Sequence, residues 1–381
     1  MPYFDHNATT PLSPAAREAW VRASDEAWAN PSSPYRLSAR VHRLLGEARE
    51  RVAAHLDVAA DEIVFTSGAT EANNAVIHWA AHALPAGHGA AVSPTEHPSV
   101  LAPARAVFGT QLIVPAIGTD GRIDPQLLVR ERVGLVAAMA ANNETGVLGP
   151  VPEIDALCRE RDAWYLCDAS QWIGRMPVRG LAPRAFLVGC AHKFGGPKGV
   201  GFLRVPRAAQ AAGYCGQLGG EQEGGRRAGT ENFPAIAAMV AALDAARAQA
   251  DTLATRAAWR SAFIDAITRR IPGVVVNSGA APCLWNTVSL RLPAHENTRW
   301  VVRLDKLGFE ISTGSACASG SAAPSHVLAA MGLSADEARR TIRVSSGWET
   351  TERDWQRLAD AIVNVGEQLQ CEGGDGGVVR I

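Results

Sequence analysis

Four short clusters in this 381-residue chain carry side chains able to do chemistry. The first, Thr66-Ser67-Gly68-Ala69-Thr70-Glu71, lies between an apolar run and a helical pattern. Free N–H groups at a helix start, small residues and the Ser67 and Thr70 hydroxyls make an anion cup, although Ser or Thr at a helix start also serves as an ordinary cap. It matches neither the Walker A lysine pattern nor G-x-G-x-x-G, which counts against nucleotides and dinucleotides. The second cluster is Cys167-Asp168-Ala169-Ser170-Gln171. Its aspartate could ligate a metal, accept from a sugar hydroxyl, partner a protonated ring nitrogen, or simply shape a turn. The third, Cys190-Ala191-His192-Lys193-Phe194-Gly195-Gly196, offers Lys193 as a desolvated amine for a Schiff base, against the plainer reading of a lysine reaching out from a loop. The fourth, from Ser312 to Ser321, surrounds Cys317 with small polar residues, where a thiol is a hazard unless it is used as a nucleophile.

An anion cup, an aspartate and an amine after separate apolar runs are the set that pyridoxal phosphate needs. The carboxylate keeps the ring nitrogen protonated, so the ring takes up electrons, and the amine meets the aldehyde. Metal chemistry has less support, since no H-E-x-x-H or close carboxylate-histidine array occurs.

The intervening pattern is of a kind that brings such clusters together. Ile63 to Phe65, Ala90 to Val92, Leu112 to Val114, Leu135 to Ala140, Tyr165 to Cys167 and Phe186 to Val188 are apolar runs. They alternate with helical patterns at 70–83, 97–107 and 152–162, which predicts an α/β fold with a mostly parallel sheet and ligands at the strands' carboxyl ends. Ser13-Pro14 opens a helix to about Trp28, and Val41, Leu45, Ala48, Val52 and Leu56 recur at helical spacing. Residues 232–270 read as one long helical connector. Strands at Val274 to Val276, Thr287 to Leu292 and Ile342 to Ser345, with helices near 297–307 and 350–369, then read as a smaller α+β domain, and Glu372 to Gly377 as a disordered tail.

Composition narrows the partners. With 37 Lys plus Arg against 38 Asp plus Glu, the net charge of -1 offers no bulk attraction to nucleic acid or anionic lipid. Apolar stretches stop short of the ~18 residues that span a bilayer, so no membrane association is expected. The start, Met1-Pro2-Tyr3-Phe4-Asp5-His6-Asn7, has no secretory or transit pattern, making the cytoplasm the expected compartment. The 7 cysteines include no C-x-x-C, which argues against disulfides and structural zinc and for mostly buried thiols.

Several segments together resemble the pyridoxal-phosphate cysteine desulfurases of the nitrogen-fixation and iron–sulfur-cluster type. They are Tyr3 to Pro11, Thr66 to Asn74, Glu96-His97, Ala141 to Gly146, Asp168 to Gly174, His192 to Gly201, Gly219 to Asn232, Ser312 to Cys317 and Arg343 to Thr351. The resemblance implies a fold-type-I homodimer with a seven-stranded sheet. Its large domain would span 13–245, and its small domain 1–12 and 246–381, with the Cys317 loop at about 312–322. Lys193 would form the Schiff base, Asp168 pair with the pyridinium nitrogen, Gln171 with the ring phenolate oxygen, and His97 stack on the ring. Ala69, Thr70, Cys190 and His192 would hold the phosphate, and Thr230 would reach the phosphate in the partner subunit. Asn143 and Arg343 would hold the carboxylate of L-cysteine, Arg supplying a planar two-donor fork.

The implied chemistry converts L-cysteine to L-alanine, with Cys317 taking the sulfur as a persulfide, Lys193 and His97 moving protons, and a sulfur-acceptor protein downstream. The loop resembles the long-loop branch. A selenocysteine lyase and a related class V transaminase are the alternative enzymes, and a non-enzymatic partner in sulfur assembly that keeps the fold is a third reading. Four positions depart from the family pattern: Cys190 where serine is usual, Trp348 where arginine is expected, and Tyr35 and Ser38 in place of His and Gly.

Overall fold

The computed structural model describes residues 2–314 and 324–374. In chain order the first half runs α1 (Pro14–Glu26), α2 (Arg36–Leu56), β1 (Ile63–Thr66), α3 (Ala69–Ala83), β2 (Gly89–Val92), α4 (Pro98–Phe108), β3 (Leu112–Ile113), α5 (Pro125–Leu128), β4 (Val133–Ala137), α6 (Val151–Glu160), β5 (Trp164–Asp168) and β6 (Phe186–Cys190). There follow β7 (Gly201–Arg204), α7 (Arg207–Ala211), α8 (Phe233–Arg247), α9 (Leu253–Arg270), β8 (Val275–Val276), β9 (Thr287–Arg291), α10 (Asn297–Lys306), α11 (His326–Ala330), α12 (Ala335–Arg339), β10 (Thr341–Ser345) and α13 (Glu352–Gly374). No helix among the described residues is long and apolar enough to cross a membrane.

Among the described residues the strands form two sheets: a seven-stranded one in the order β1-β7-β6-β5-β4-β2-β3, and a three-stranded one in the order β10-β9-β8. The expected mostly parallel sheet is present, with β2, β3, β4, β5 and β6 parallel and β7 antiparallel to both β1 and β6. β1, β2, β4 and β6 are buried along their whole length, because helices cover both faces. One face packs on α3 and α4 through Val76, Ile77, Trp79, Val100 and Leu101. The other packs on α1, α2, α6 and α8 through Ala16, Val41, Leu45, Val52, Ile154 and Met239.

Sequence pattern did not reveal β7. Its Arg204 is 6% exposed and donates to Glu62 at 2.8 Å and the Ala185 carbonyl at 2.8 Å, and a buried ion pair erases the apolar signature of the strand. The expected single helix over 232–270 is instead two, α8 and α9, separated by a 3-10 turn at Ala250–Thr252. There the Thr252 hydroxyl donates to the Gln249 carbonyl at 2.7 Å and accepts from Arg256 Nε at 2.9 Å.

The three-stranded sheet has its own core of Phe263, Ile267, Leu290, Trp300, Ile342, Trp355 and Ile362, which also takes in Phe4. Burying such a side chain contributes about 2–3 kcal/mol, and Phe4 thereby ties the amino terminus to β10. Phe4 N donates to Glu310 O at 2.8 Å, and Ser345 N to Phe4 O at 2.8 Å. The predicted disordered tail is partly wrong: residues 372–374 close α13, and Glu372 pairs with Arg299 and Arg303. The rest of that tail, from 375, lies outside the described residues.

Candidate active site

β5 and β6 end side by side in the middle of the sheet, which sets Asp168 and the turn Ala191–Lys193 at the carboxyl ends of adjacent strands. β1 delivers the third group there, because β7 bridges β1 and β6. Gly201 on β7 allows this approach: a Cβ at that position would lie 2.9 Å from Gly68 Cα. Gly68, with φ 149° and ψ −177°, caps α3 in a conformation that glycine alone adopts readily. The first-turn amides of α3, at Ala69, Thr70 and Glu71, have no helical carbonyl to bond.

The amino-terminal segment crosses over these groups. Lys193 Nζ donates to the carbonyls of Asn7 at 2.6 Å and Ala8 at 2.9 Å. Thr10 N and its hydroxyl donate to His192 O, each at 2.8 Å, and Gly195 N donates to Thr10 Oγ1 at 2.7 Å. Asn7 was missed as a site residue in the sequence. Its Nδ2 donates to Asn143 O at 3.0 Å and to Thr287 Oγ1 at 2.9 Å, and its carbonyl also accepts from Gln171 Nε2 at 3.0 Å. The available signal was its place in the polar run after Phe4, which no periodicity explains.

Asp168 is 6% exposed. Its carboxylate accepts from Asn73 Nδ2 at 2.9 Å and from Ser170 N at 2.9 Å. Gln171 is buried, with both ends of its amide engaged, Nε2 by Asn7 and Oε1 by Arg175. Arg175, also missed in the sequence, donates to the His6 carbonyl at 3.0 Å and the Lys193 carbonyl at 3.2 Å, and burial pulls its pKa down to about 9.

His97 caps α4 through Nδ1, which accepts from Ser99 N at 3.1 Å. Burial lowers its pKa; Asp168 opposes this, while Lys193 and His326 reinforce it, so all four groups share one neighbourhood. Burial, then Lys193, Lys198 and Arg175, hold His192 down to about 4. Burial pushes the Cys190 thiol up, with the charges of Lys193 and Asp168 and the Ala69 amide acting on it, which places the departure from serine at the anion cup.

Asn142 Oδ1 accepts from Glu144 N and Thr145 N, each at 2.9 Å, and this turn presents Asn143. The Asn143 carbonyl accepts from Arg343 Nη1 at 3.0 Å. Arg343 is 1% exposed, and also donates to Gly314 O at 2.9 Å and Asp5 Oδ1 at 2.5 Å. The fork that the sequence suggested for a carboxylate is thus paired with an internal one, Asp5. Thr230 is exposed, on a segment fastened to α3 by Arg227, whose Nε and Nη2 meet Glu71 at 2.9 and 3.2 Å. Cys317, the predicted nucleophile, lies outside the described residues.

Trp348 has its own role. Its indole N–H donates to Gly174 O at 3.0 Å, and Trp285, 4.6 Å away between ring centroids, donates to Arg175 O at 2.9 Å. Arg256 sits 5.0 Å from the Trp348 ring centroid and donates to the Trp348 carbonyl at 2.6 Å. The pair pins residues 346–350 onto the turn behind Gln171. Tyr35 is exposed and Ser38 buried on α2.

His6 illustrates the electrostatic cost of this assembly. It is 3% exposed, its Nδ1 has no hydrogen-bond partner, and burial pushes its pKa from 6.5 down to about 3. The unfolded chain therefore takes up this proton first. Stability present above pH 6.5 is lost as pH falls toward about 3. At pH 5 the loss from this group is about 2 kcal/mol. Urea unfolding at pH 7 and pH 5 is expected to show that loss in the natural protein and a smaller one in His6→Asn.

The donor set fits a phosphorylated aldehyde cofactor: an amine on a short turn, a buried carboxylate at the adjacent strand end, and the first-turn amides of a 15-residue helix. Residues 2–358 match the aminotransferase class-V family. The chain is 35% identical over 376 residues to the cysteine desulfurase IscS of Dictyoglomus turgidum, covering 97% of this chain and 95% of that protein. Among solved structures, a NifS-like protein superposes with TM-score 0.86 at 28% identity, covering 96% of this chain and 99% of the other. SspA in complex with cysteine superposes with TM-score 0.78 at 29% identity, covering 91% of this chain and 99% of the other.

Proposed function

From the premise that the chain belongs to the aminotransferase class-V family, within its cysteine desulfurase group, we propose that it converts L-cysteine to L-alanine and passes the sulfur through Cys317 to an acceptor protein. The observation that carries this reading is the meeting of Lys193, Asp168 and the α3 amino terminus at the carboxyl ends of β6, β5 and β1. Pyridoxal phosphate, the cofactor of this family, supplies an aldehyde that captures the substrate amine and a ring that takes up electrons from its α-carbon.

In this reading Ala69, Thr70, Cys190 and His192 hold the phosphate, and Thr230 of a second copy completes the site in a homodimer. Asp168 holds the ring nitrogen, Gln171 the ring oxygen, and His97 covers the ring. Asn143 and Arg343 receive the substrate carboxylate, with Asp5 giving way. Lys193 carries the α-proton. The Cys317 thiolate forms an S–S bond to the substrate sulfur as the substrate C–S bond breaks; the electron pair stays with the carbon skeleton, which is protonated to alanine. That thiol must stay free, so a reducing compartment such as the cytoplasm suits the reaction.

Protein supplied with pyridoxal phosphate and L-cysteine is expected to release alanine without any keto acid. A keto-acid requirement would mark a transaminase, and strong preference for selenocysteine a lyase. Cofactor retention tests the phosphate site separately. Cys190→Ser exchanges a weak thiol donor for a hydroxyl, worth about 1 kcal/mol, and equilibrium dialysis is expected to show roughly fivefold tighter retention.

A further inference from the structure

We propose that Asn73 and Ser99 are positioning residues that hold His97 as the neutral tautomer protonated on Nε2, through a buried hydrogen-bond chain starting at Asp168. The chain has three links. Asn73 Nδ2 lies 2.9 Å from Asp168 Oδ2 and 3.0 Å from Ser99 Oγ, and Ser99 Oγ lies 2.8 Å from His97 Nδ1. Asn73 is 0% and Ser99 8% exposed, so water does not compete for these groups.

The chemistry of each group sets the direction of every bond. A carboxylate only accepts, so the Asn73 atom facing Asp168 is its NH₂ group, and the second N–H of that nitrogen donates to the Ser99 hydroxyl. A backbone N–H only donates, and Ser99 N points at His97 Nδ1 from 3.1 Å. Nδ1 is therefore unprotonated, and the Ser99 hydroxyl hydrogen must also turn toward it. A neutral imidazole with Nδ1 accepting carries its proton on Nε2. A second proton on Nδ1 would set an N–H against the Ser99 backbone N–H, which, unlike the hydroxyl, cannot turn to accept it.

The groups around the ring agree with a neutral imidazole. Asp168 favours a charged ring, while burial, Lys193 on its turn and His326 on α11 oppose it. His326 Nε2 is itself held 2.8 Å from the Glu96 carbonyl, and burial and Asp168 push the Glu96 carboxyl well up, toward its neutral form.

The consequence rests on the reading of His97 as the residue covering the cofactor: its proton traffic then runs through Nε2 alone, with His97 as a donor, leaving Lys193 as the base. Sequence alone hid this. Asn73 lies one turn from Thr70 on α3, where a polar residue reads as surface, and Ser99 reads as a helix-start residue.

The test is ¹⁵N NMR of protein carrying labelled histidine, with and without pyridoxal phosphate, the His97 signal being assigned by its loss in His97→Gln. At pH 7, Nδ1 is expected to show an unprotonated shift and Nε2 a protonated one, in the natural protein and in Ser99→Thr, which keeps the hydroxyl. In Ser99→Ala one donor to Nδ1 is gone, and the protonation equilibrium is expected to move five- to tenfold toward the charged ring. A protonated Nδ1 in the natural protein, or a Ser99→Ala spectrum identical to it, overturns the proposal. Neither measurement needs turnover, so alanine release with a protonated Nδ1 would remove this inference and keep the catalytic reading. The expected tautomer without cofactor binding would do the reverse.

Discussion

In Lys193→Ala and Lys193→Arg variants, alanine release from L-cysteine is expected to fall by at least about 10²–10⁴-fold, the contribution of a positioned proton carrier. Borohydride, which fixes an imine-bound cofactor to the natural protein, is expected to leave both variants unlabelled. The two substitutions separate chemistry from scaffolding. Lys193 Nζ also donates to the carbonyls of Asn7 and Ala8, so alanine removes a donor from both, the Asn7 carbonyl keeping only Gln171 Nε2. Arginine keeps the charge and the donors but brings no nucleophilic amine at neutral pH. If Lys193→Arg retained borohydride labelling, another lysine would be the attachment point and the reading of this turn would fall.

Cys317→Ser is expected to keep the cofactor spectrum and bind L-cysteine, yet deliver no sulfur, with turnover reduced by more than about 10³-fold. A serine hydroxyl is a poor nucleophile toward sulfur, and three of the other cysteines are buried. Burial pushes the Cys158 thiol up to about 12, and pushes Cys167 and Cys190 up as well, so none of the three offers a thiolate. Cys371 is exposed near the end of α13, far along the chain from those strand ends. Sulfur transfer that survived Cys317→Ser and vanished in Cys371→Ser would transfer the role to that residue.

Trp348 answers part of what its departure from arginine raised, since its indole serves the Gly174 carbonyl within the chain. Its place in the fold is structural, beside Trp285 and Arg256, whatever it contributes to partner choice.

Motif and periodicity reached far in this chain because the relevant signals are local. Helix starts announce themselves through Ser13-Pro14 and the Thr66 to Glu71 cluster, buried strands through apolar runs, and the candidate Lys193, Asp168 and Cys317 clusters through small residues around one reactive group. What failed locally was also physical: Arg204 broke the apolar run of β7, and the turn at Ala250–Thr252 split a pattern that helical spacing alone reads as continuous.

Residue types and their spacing therefore determined, without coordinates, the α/β class and the alternation that builds the sheet, and they singled out Lys193, Asp168 and Cys317 as the candidate amine, carboxylate and thiol. Only the tertiary structure decided how they are held. Asn7 spans from Asn143 to Thr287 while its carbonyl receives Lys193; Asp5 occupies Arg343; and Asn73 joins Asp168 to the histidine on another helix. These are bonds between residues 26 to 338 positions apart. Their partners are chosen by where strand order and domain docking bring the chain back on itself, and no local pattern encodes that.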